Sequence, residues 1–156
     1  MEFPLKPRTV AKKLHPSAKI PKRANPTDAG LDLCSIEEVT LYPVGQDWEK
    51  QGLPTRAKIK TGLTFAIPVG YGMFIWDRSG LSTNAGLHRL AGVIDSNYRG
   101  ELLVALVNLG SEPYTIKVGD KIAQGIISPI ALSEVEEVEE LDATDRGDKG
   151  FGSNGR

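Results

Sequence analysis

An all-β fold is predicted by three observations. Glycine and proline occur 17 and 10 times in 156 residues, and they cut the chain into pieces too short for long helices. The pieces either alternate apolar and polar residues or run apolar for a few positions only, as half-buried and buried strands do. Turn signals such as Asn108-Leu109-Gly110 and Gly119-Asp120 stand close together between them. Short strands so spaced read as a sandwich, jelly roll or barrel.

Taken in order, Asp28-Ala29-Gly30-Leu31-Asp32-Leu33 reads as a turn leading into a strand. In residues 56–60, Ala57 and Ile59 alternate with Arg56, Lys58 and Lys60, and Thr61-Gly62 breaks the run before an apolar stretch at 63–67. Tyr71–Trp76 is rich in β-favouring residues. Residues 92–100 set two apolar residues before a polar turn and an apolar strand after it, and read as a hairpin with glycine at both ends. Residues 102–107 are a buried-strand candidate, followed by strands at 114–118 and 122–130. In the acidic run 134–142, Val135, Val138 and Leu141 sit three apart, which suits either a short amphipathic helix or an extended arm. After Asp145 the chain is Gly-rich and polar, and is expected to stay mobile until something binds it. The expected organisation is a β domain over residues 1–145 and an arm over 146–156.

Bulk composition excludes several classes. The chain length suits one domain. Apolar (40%) and charged (25%) fractions are ordinary, and a net charge of −1 gives no general attraction to nucleic acid or anionic membrane. An anionic substrate must then be met by locally placed donors or a metal. The single cysteine, Cys34, has no internal disulfide partner and reads as a small buried apolar residue. The longest apolar run, 102–107, is too short to span a bilayer. No apolar leader segment follows the basic N-terminus, so a cytoplasmic protein is expected.

Five segments carry candidate chemistry. In the first, Asp32 stands beside small residues and is able to hold Mg²⁺ directly or through water, or to be a solvated strand residue. In the second, Asp77-Arg78-Ser79-Gly80-Leu81, the planar fork of Arg78, the Ser79 hydroxyl and a Gly80 backbone open to close approach suit a phosphate. The third is the 92–100 hairpin. Asp95 follows Val93 and Ile94, which makes partial desolvation and use as a base conceivable, and Tyr98 offers a ring as a wall. In the fourth, Gly119-Asp120-Lys121-Ile122-Ala123-Gln124, Gln124 interrupts an apolar run and needs a partner, either a phosphate oxygen or a backbone group. The fifth, 146–156, contains a G-x-G-x-x-G spacing, but no strand–turn–helix unit follows, so a dinucleotide site is rejected. It reads as an arm with Arg146 and with Phe151, whose natural partner is a planar base.

In this order, and from about Asp28 onward, the five segments resemble the dUTPase family, most of all its bacterial and bacteriophage-type members. The resemblance implies a jelly-roll or distorted β-barrel domain with a flexible C-terminal arm, assembled as a homotrimer with active sites between subunits. It implies hydrolysis of dUTP to dUMP and pyrophosphate, with Mg²⁺ on the triphosphate and water attacking the α-phosphorus. Asp95 would be the general base, and Asp32 would hold Mg²⁺ through its water shell. Arg78, Ser79, Gly80 and Gln124 would bind phosphates. Tyr98 would pack on the deoxyribose, while Val93, Ile94 and Leu103 would read uracil. After closure Arg146 and Ser153 would clamp the phosphates, with Gly152 between Ser153 and Phe151, which would stack on the base.

Some positions depart from the family pattern. Asp77 replaces a usual proline and brings a negative charge near the phosphates. Asn97, Lys149 and Asn154 replace an Asp, a Gly and a Ser or Thr, and Arg89 lies where bacterial members often carry an Asn that helps bind the base. Residues 42–54, with Trp48, form a longer link than usual. This link reads as a solvated loop, with a protein-docking surface as the alternative. The related dCTP deaminases lack the 92–100 hairpin and the arm in this form.

Overall fold

The computed structural model describes residues 7–149. In chain order it contains β1 (Val10–Lys13), β2 (Leu31–Cys34), β3 (Val39–Leu41), a 3₁₀ turn (Glu49–Gln51), β4 (Arg56–Lys60), β5 (Leu63–Ala66), β6 (Tyr71–Trp76), α1 (Ser79–Ala85), β7 (Leu87–Arg89), β8 (Val93–Ile94), β9 (Leu103–Asn108), β10 (Tyr114–Ile116) and β11 (Lys121–Pro129). Every strand pairing is antiparallel. One sheet has the order β2-β11-β6-β8 and another β4-β9-β7, and the pairs β1-β5 and β3-β10 complete a jelly roll. Alternation dictates which side chains go inward: Ile59 on β4, Leu63 and Phe65 on β5, and Val104 and Leu106 on β9 are buried in one core.

The polar residues buried outright, Ser35, Thr55, Thr61 and Asn108, each have a hydrogen-bond partner. Asn108 is fully buried; its Nδ2 donates to the Leu41 and Glu112 carbonyls (2.9 and 2.8 Å) and its Oδ1 accepts the Gly110 N–H (2.8 Å). Cys34 is buried, and burial pushes its thiol pKa up.

β1, β3, the 3₁₀ turn, the helix and β7 go beyond the sequence expectation. β1 forms on β5, in a region with no motif and little apolar patterning. Residues 79–85 form a two-turn helix where only a loop was expected, and β7 follows it. The 42–54 link is compact: Tyr42 and Trp48 pack ring to ring at 5.2 Å, and Thr55 Oγ1 donates to Glu49. After Pro129 the described chain has no helix or strand, and residues 131–149 are exposed. The 134–142 run therefore forms neither a helix nor a strand. Among the described residues no helix is long and apolar enough to cross a membrane.

Candidate active site

Four of the predicted residues converge. Antiparallel pairing sets Gln124 of β11 opposite both Asp32 of β2 and Trp76 of β6. β6 ends at Trp76, and Arg78 caps α1 with an extended backbone, so the start of the helix lies beside Asp32 and Gln124. Asp32, Arg78, Ser79, Gln124 and Gly30 line one recess of about 340 Å³. Gly30 lets the Gln124 side chain lie against the backbone here, since a Cβ would run into its amide and displace it.

The Asp32 charge in this recess is paired. Asp32 Oδ2 lies 2.6 Å from Lys121 Nζ, and Oδ1 lies 3.6 Å from Arg78 Nε. Lys121 escaped the sequence reading. Its signal is the strand pairing, which sets Lys121 opposite Cys34 on the strand that carries Asp32. Gln124 Nε2 donates to the Asp77 carbonyl at 2.9 Å, which is the backbone partner of the two alternatives left open above. Among the described residues no group of three His, Cys, Asp or Glu could hold a metal ion. Of the two carboxylates that line the recess, Asp32 is paired with Lys121, and Asp28 accepts the Asn25 N–H at 2.8 Å.

The 92–100 segment is not a paired hairpin. Val93 and Ile94 pair with Phe74 and Met73 of β6, whereas the strand after the turn pairs with β4 and β7 in another sheet. The turn therefore links two sheets, a pairing that local spacing cannot distinguish from a hairpin. Tyr98 N–H donates to the Asp95 carbonyl (3.2 Å), which closes the turn. The Tyr98 hydroxyl donates to the Glu101 carbonyl (2.9 Å), and its ring lies over Gly100, where a Cβ would collide with it. Arg99 Nη1 donates to the Ser96 and Tyr98 carbonyls (2.7 and 2.9 Å), a staple that sequence reasoning missed. Thr64 Oγ1 donates to the Arg99 carbonyl and Thr61 Oγ1 to the Leu102 carbonyl, which fastens the segment to the β4–β5 turn.

Asp95 is exposed in the isolated chain, not partly desolvated as its apolar neighbours suggested, because Val93 is itself 68% exposed and does not cover it. Tyr98 and Leu103 are exposed as well, and Ile94 is half-buried.

The register separates Asp95 from Arg78 within one chain. Ile94 lies opposite Met73, so Asp95 continues toward Gly72, while Arg78 lies beyond Trp76 at the other end of β6. From Gly72 to Trp76 the strand runs four steps, or ~13 Å, and Arg78 lies two residues further on. Arg146 lies in a turn of the exposed tail, its Nε donating to the Lys149 carbonyl. Phe151, Gly152, Ser153 and Asn154 fall outside the described residues.

A family model for dUTPase matches residues 16–155. The chain belongs to the dUTPase family. The deoxyuridine 5′-triphosphate nucleotidohydrolase of Wolinella succinogenes is 44% identical over 146 residues, covering 92% of this chain and 91% of that relative. The dUTPase of Staphylococcus bacteriophage 80alpha, solved with dUpNHpp, superposes with a TM-score of 0.84 at 32% identity, covering 96% of this chain and 99% of that one. A dUTPase variant from phage phi11 of S. aureus, with a TM-score of 0.75 at 30% identity over 86% of this chain and 98% of that one, is described as revealing the coordination of a structural Mg(II) ion. For dUTPase-family chains the jelly roll found here is the expected fold.

Proposed function

We propose that this chain is a dUTP diphosphatase, hydrolysing dUTP to dUMP and pyrophosphate. The observation that carries the reading is the dUTPase match across residues 16–155, which spans all five segments. Water attacks the α-phosphorus, and Asp95 orients and deprotonates it. The phosphate chain lies against Arg78, Ser79 and Gly80. The fork of Arg78 supplies two parallel donors, and the first N–H groups of α1 have no partner within the helix. Gln124 Nε2 carries a second hydrogen beyond the one given to Asp77, and that hydrogen is the donor for phosphate. Tyr98, braced over Gly100, packs on the deoxyribose, while Val93, Ile94 and Leu103 face the base.

Mg²⁺ is proposed to enter with the triphosphate, where it neutralises charge, with Asp32 meeting its water shell. No step is assigned to the ion. The chain's own part is positioning and charge complementarity, which carry most of phosphoryl-type catalysis.

The ~13 Å of β6 between the levels of Asp95 and Arg78 supports a site shared between subunits of a homotrimer, with the base from one chain and the phosphate loop from another. The arm 146–156, with Arg146, Phe151, Gly152 and Ser153, then closes over the nucleotide beyond a domain of residues 1–145. Closure excludes water other than the nucleophile. The exposure of Val93, Tyr98 and Leu103 in the isolated chain fits surfaces that another subunit and the nucleotide cover. Such an enzyme works in the cytoplasm, where deoxynucleotides are made.

The reading is tested by pyrophosphate release with Mg²⁺ across dUTP, UTP, dCTP and dTTP. Release from dUTP far above the other three is expected. Ammonia from dCTP, or equal rates on all four, would overturn it.

A further inference from the structure

We propose that Asp77 is a positioning residue that holds the phosphate loop in place through both its main chain and its side chain. The inference rests on the reading of Arg78 as a phosphate ligand.

A carboxylate next to that ligand poses a problem, since it repels a polyphosphate. The structure removes it. The Asp77 carboxylate does not line the recess that Arg78 and Ser79 line. It is turned toward β7, where Oδ1 accepts the Arg89 N–H at 2.8 Å and Oδ2 lies 2.6 Å from His88 Nδ1. Its side chain is only 21% exposed. Its main-chain carbonyl accepts a hydrogen bond from Gln124 Nε2 of β11 at 2.9 Å. One residue between the end of β6 and the start of α1 is thus tied to β7 on one side and β11 on the other.

These ties hold a stretch with little other support. The β6 ladder to β11 stops at Trp76, and no side chain caps α1, whose cap residue is Arg78 itself. Arg78 departs from Asp77 with φ −87° and ψ 124°, and its guanidinium then reaches Asp32. Freeing Asp77 leaves Arg78 in the sequence but no longer fixed in direction. A binding group misplaced by about 1 Å costs up to ~10²-fold in rate.

The test compares wild type, Asp77→Ala, Asp77→Asn and His88→Ala for pyrophosphate release from dUTP. It also measures competitive inhibition by deoxyuridine, which shares the base and sugar but has no phosphate. Asp77→Ala is expected to raise KM for dUTP about 10- to 100-fold, with the inhibition constant of deoxyuridine unchanged. Asp77→Asn keeps an acceptor for the Arg89 N–H and offers a donor to His88 Nδ1, so it restores most of the wild-type KM. His88→Ala cuts one tie and raises KM by a smaller factor; it decides the matter if Asp77→Ala does not fold. Equal weakening of dUTP and deoxyuridine in these variants, or an unchanged KM, overturns the positioning role while leaving the enzyme reading intact. A wild-type chain that releases no pyrophosphate from dUTP overturns both.

Discussion

Replacing Asn108 by alanine should destabilise the fold by an amount that its contacts allow us to work out. The side chain is fully buried and makes three hydrogen bonds, two from Nδ2 to the Leu41 and Glu112 carbonyls and one from the Gly110 N–H to Oδ1. Each is worth about 1 kcal/mol net, so Asn108→Ala should cost ~3 kcal/mol, and the Leu41 carbonyl would be left without its partner in the core. For a chain of this size that corresponds to a fall in Tm of about 6–12 °C. Asn108→Asp should fare no better. It keeps the acceptor for Gly110 but turns a second acceptor toward two carbonyl oxygens. Thermal unfolding followed by circular dichroism, at one protein concentration for all variants because an oligomer's Tm depends on it, measures the difference. A shift below about 2 °C would mean that the site relaxes or admits water, and the reasoning from these three bonds would fail.

Other predictions concern reactivity and turnover. Cys34, buried and with its pKa raised, carries little thiolate at neutral pH, so it should react slowly with an aromatic disulfide reagent in the native protein and fast in urea; equal rates would show that it is accessible. Arg99→Ala removes the staple across the Asp95 turn and should lower kcat for dUTP about tenfold or more with a small change in Tm; an unchanged kcat would show the turn to be rigid without it. Truncation after Asp145 should leave the circular dichroism spectrum and Tm intact and lower kcat/KM, since the last strand ends at Pro129; unchanged kinetics would remove the arm from the mechanism.

Much of the fold was legible where burial imposes a period. β4, β5, β6, β9 and β11 stand within a residue or two of their sequence positions, because alternation or an apolar run marks each of them. β1 and β7 were not legible. Each is too short to show a period, β1 being mostly exposed and β7 carrying one buried residue, Leu87, and each owes its existence to a neighbour, β5 for one and β9 for the other. The helix 79–85 buries no residue outright, and its apolar stripe is a single i, i+4 pair, Leu81 and Ala85, half-buried against the core and too short to read. The mistaken hairpin has the same origin. Residues 92–100 have hairpin chemistry, and only the long-range pairing of β8 with β6 shows that the two flanks belong to different sheets.

The candidate site was legible as motifs and illegible as geometry. Asp32, Arg78 and Gln124 were each singled out, yet it is strand register that brings them to one recess, and Lys121 was overlooked because its role depends on that same register. Asp77 looked like an electrostatic liability; its carboxylate is engaged by β7 instead. The exposure of Asp95 was hidden from a reading of neighbours, since an adjacent apolar residue gives no cover when it points outward itself.

The central claim is that Asp95 of one chain and Arg78 of another complete a single dUTP-hydrolysing site. Asp95→Asn and Arg78→Ala homo-oligomers should each be nearly inactive in pyrophosphate release from dUTP. Mixed one to one, unfolded and reassembled together, they should recover about one quarter of the wild-type activity, because random assembly around a ring pairs an intact Asp95 with an intact Arg78 in about that share of sites. If each chain built its own site, no mixture would contain an intact one, and activity at the level of the separate variants would contradict the account.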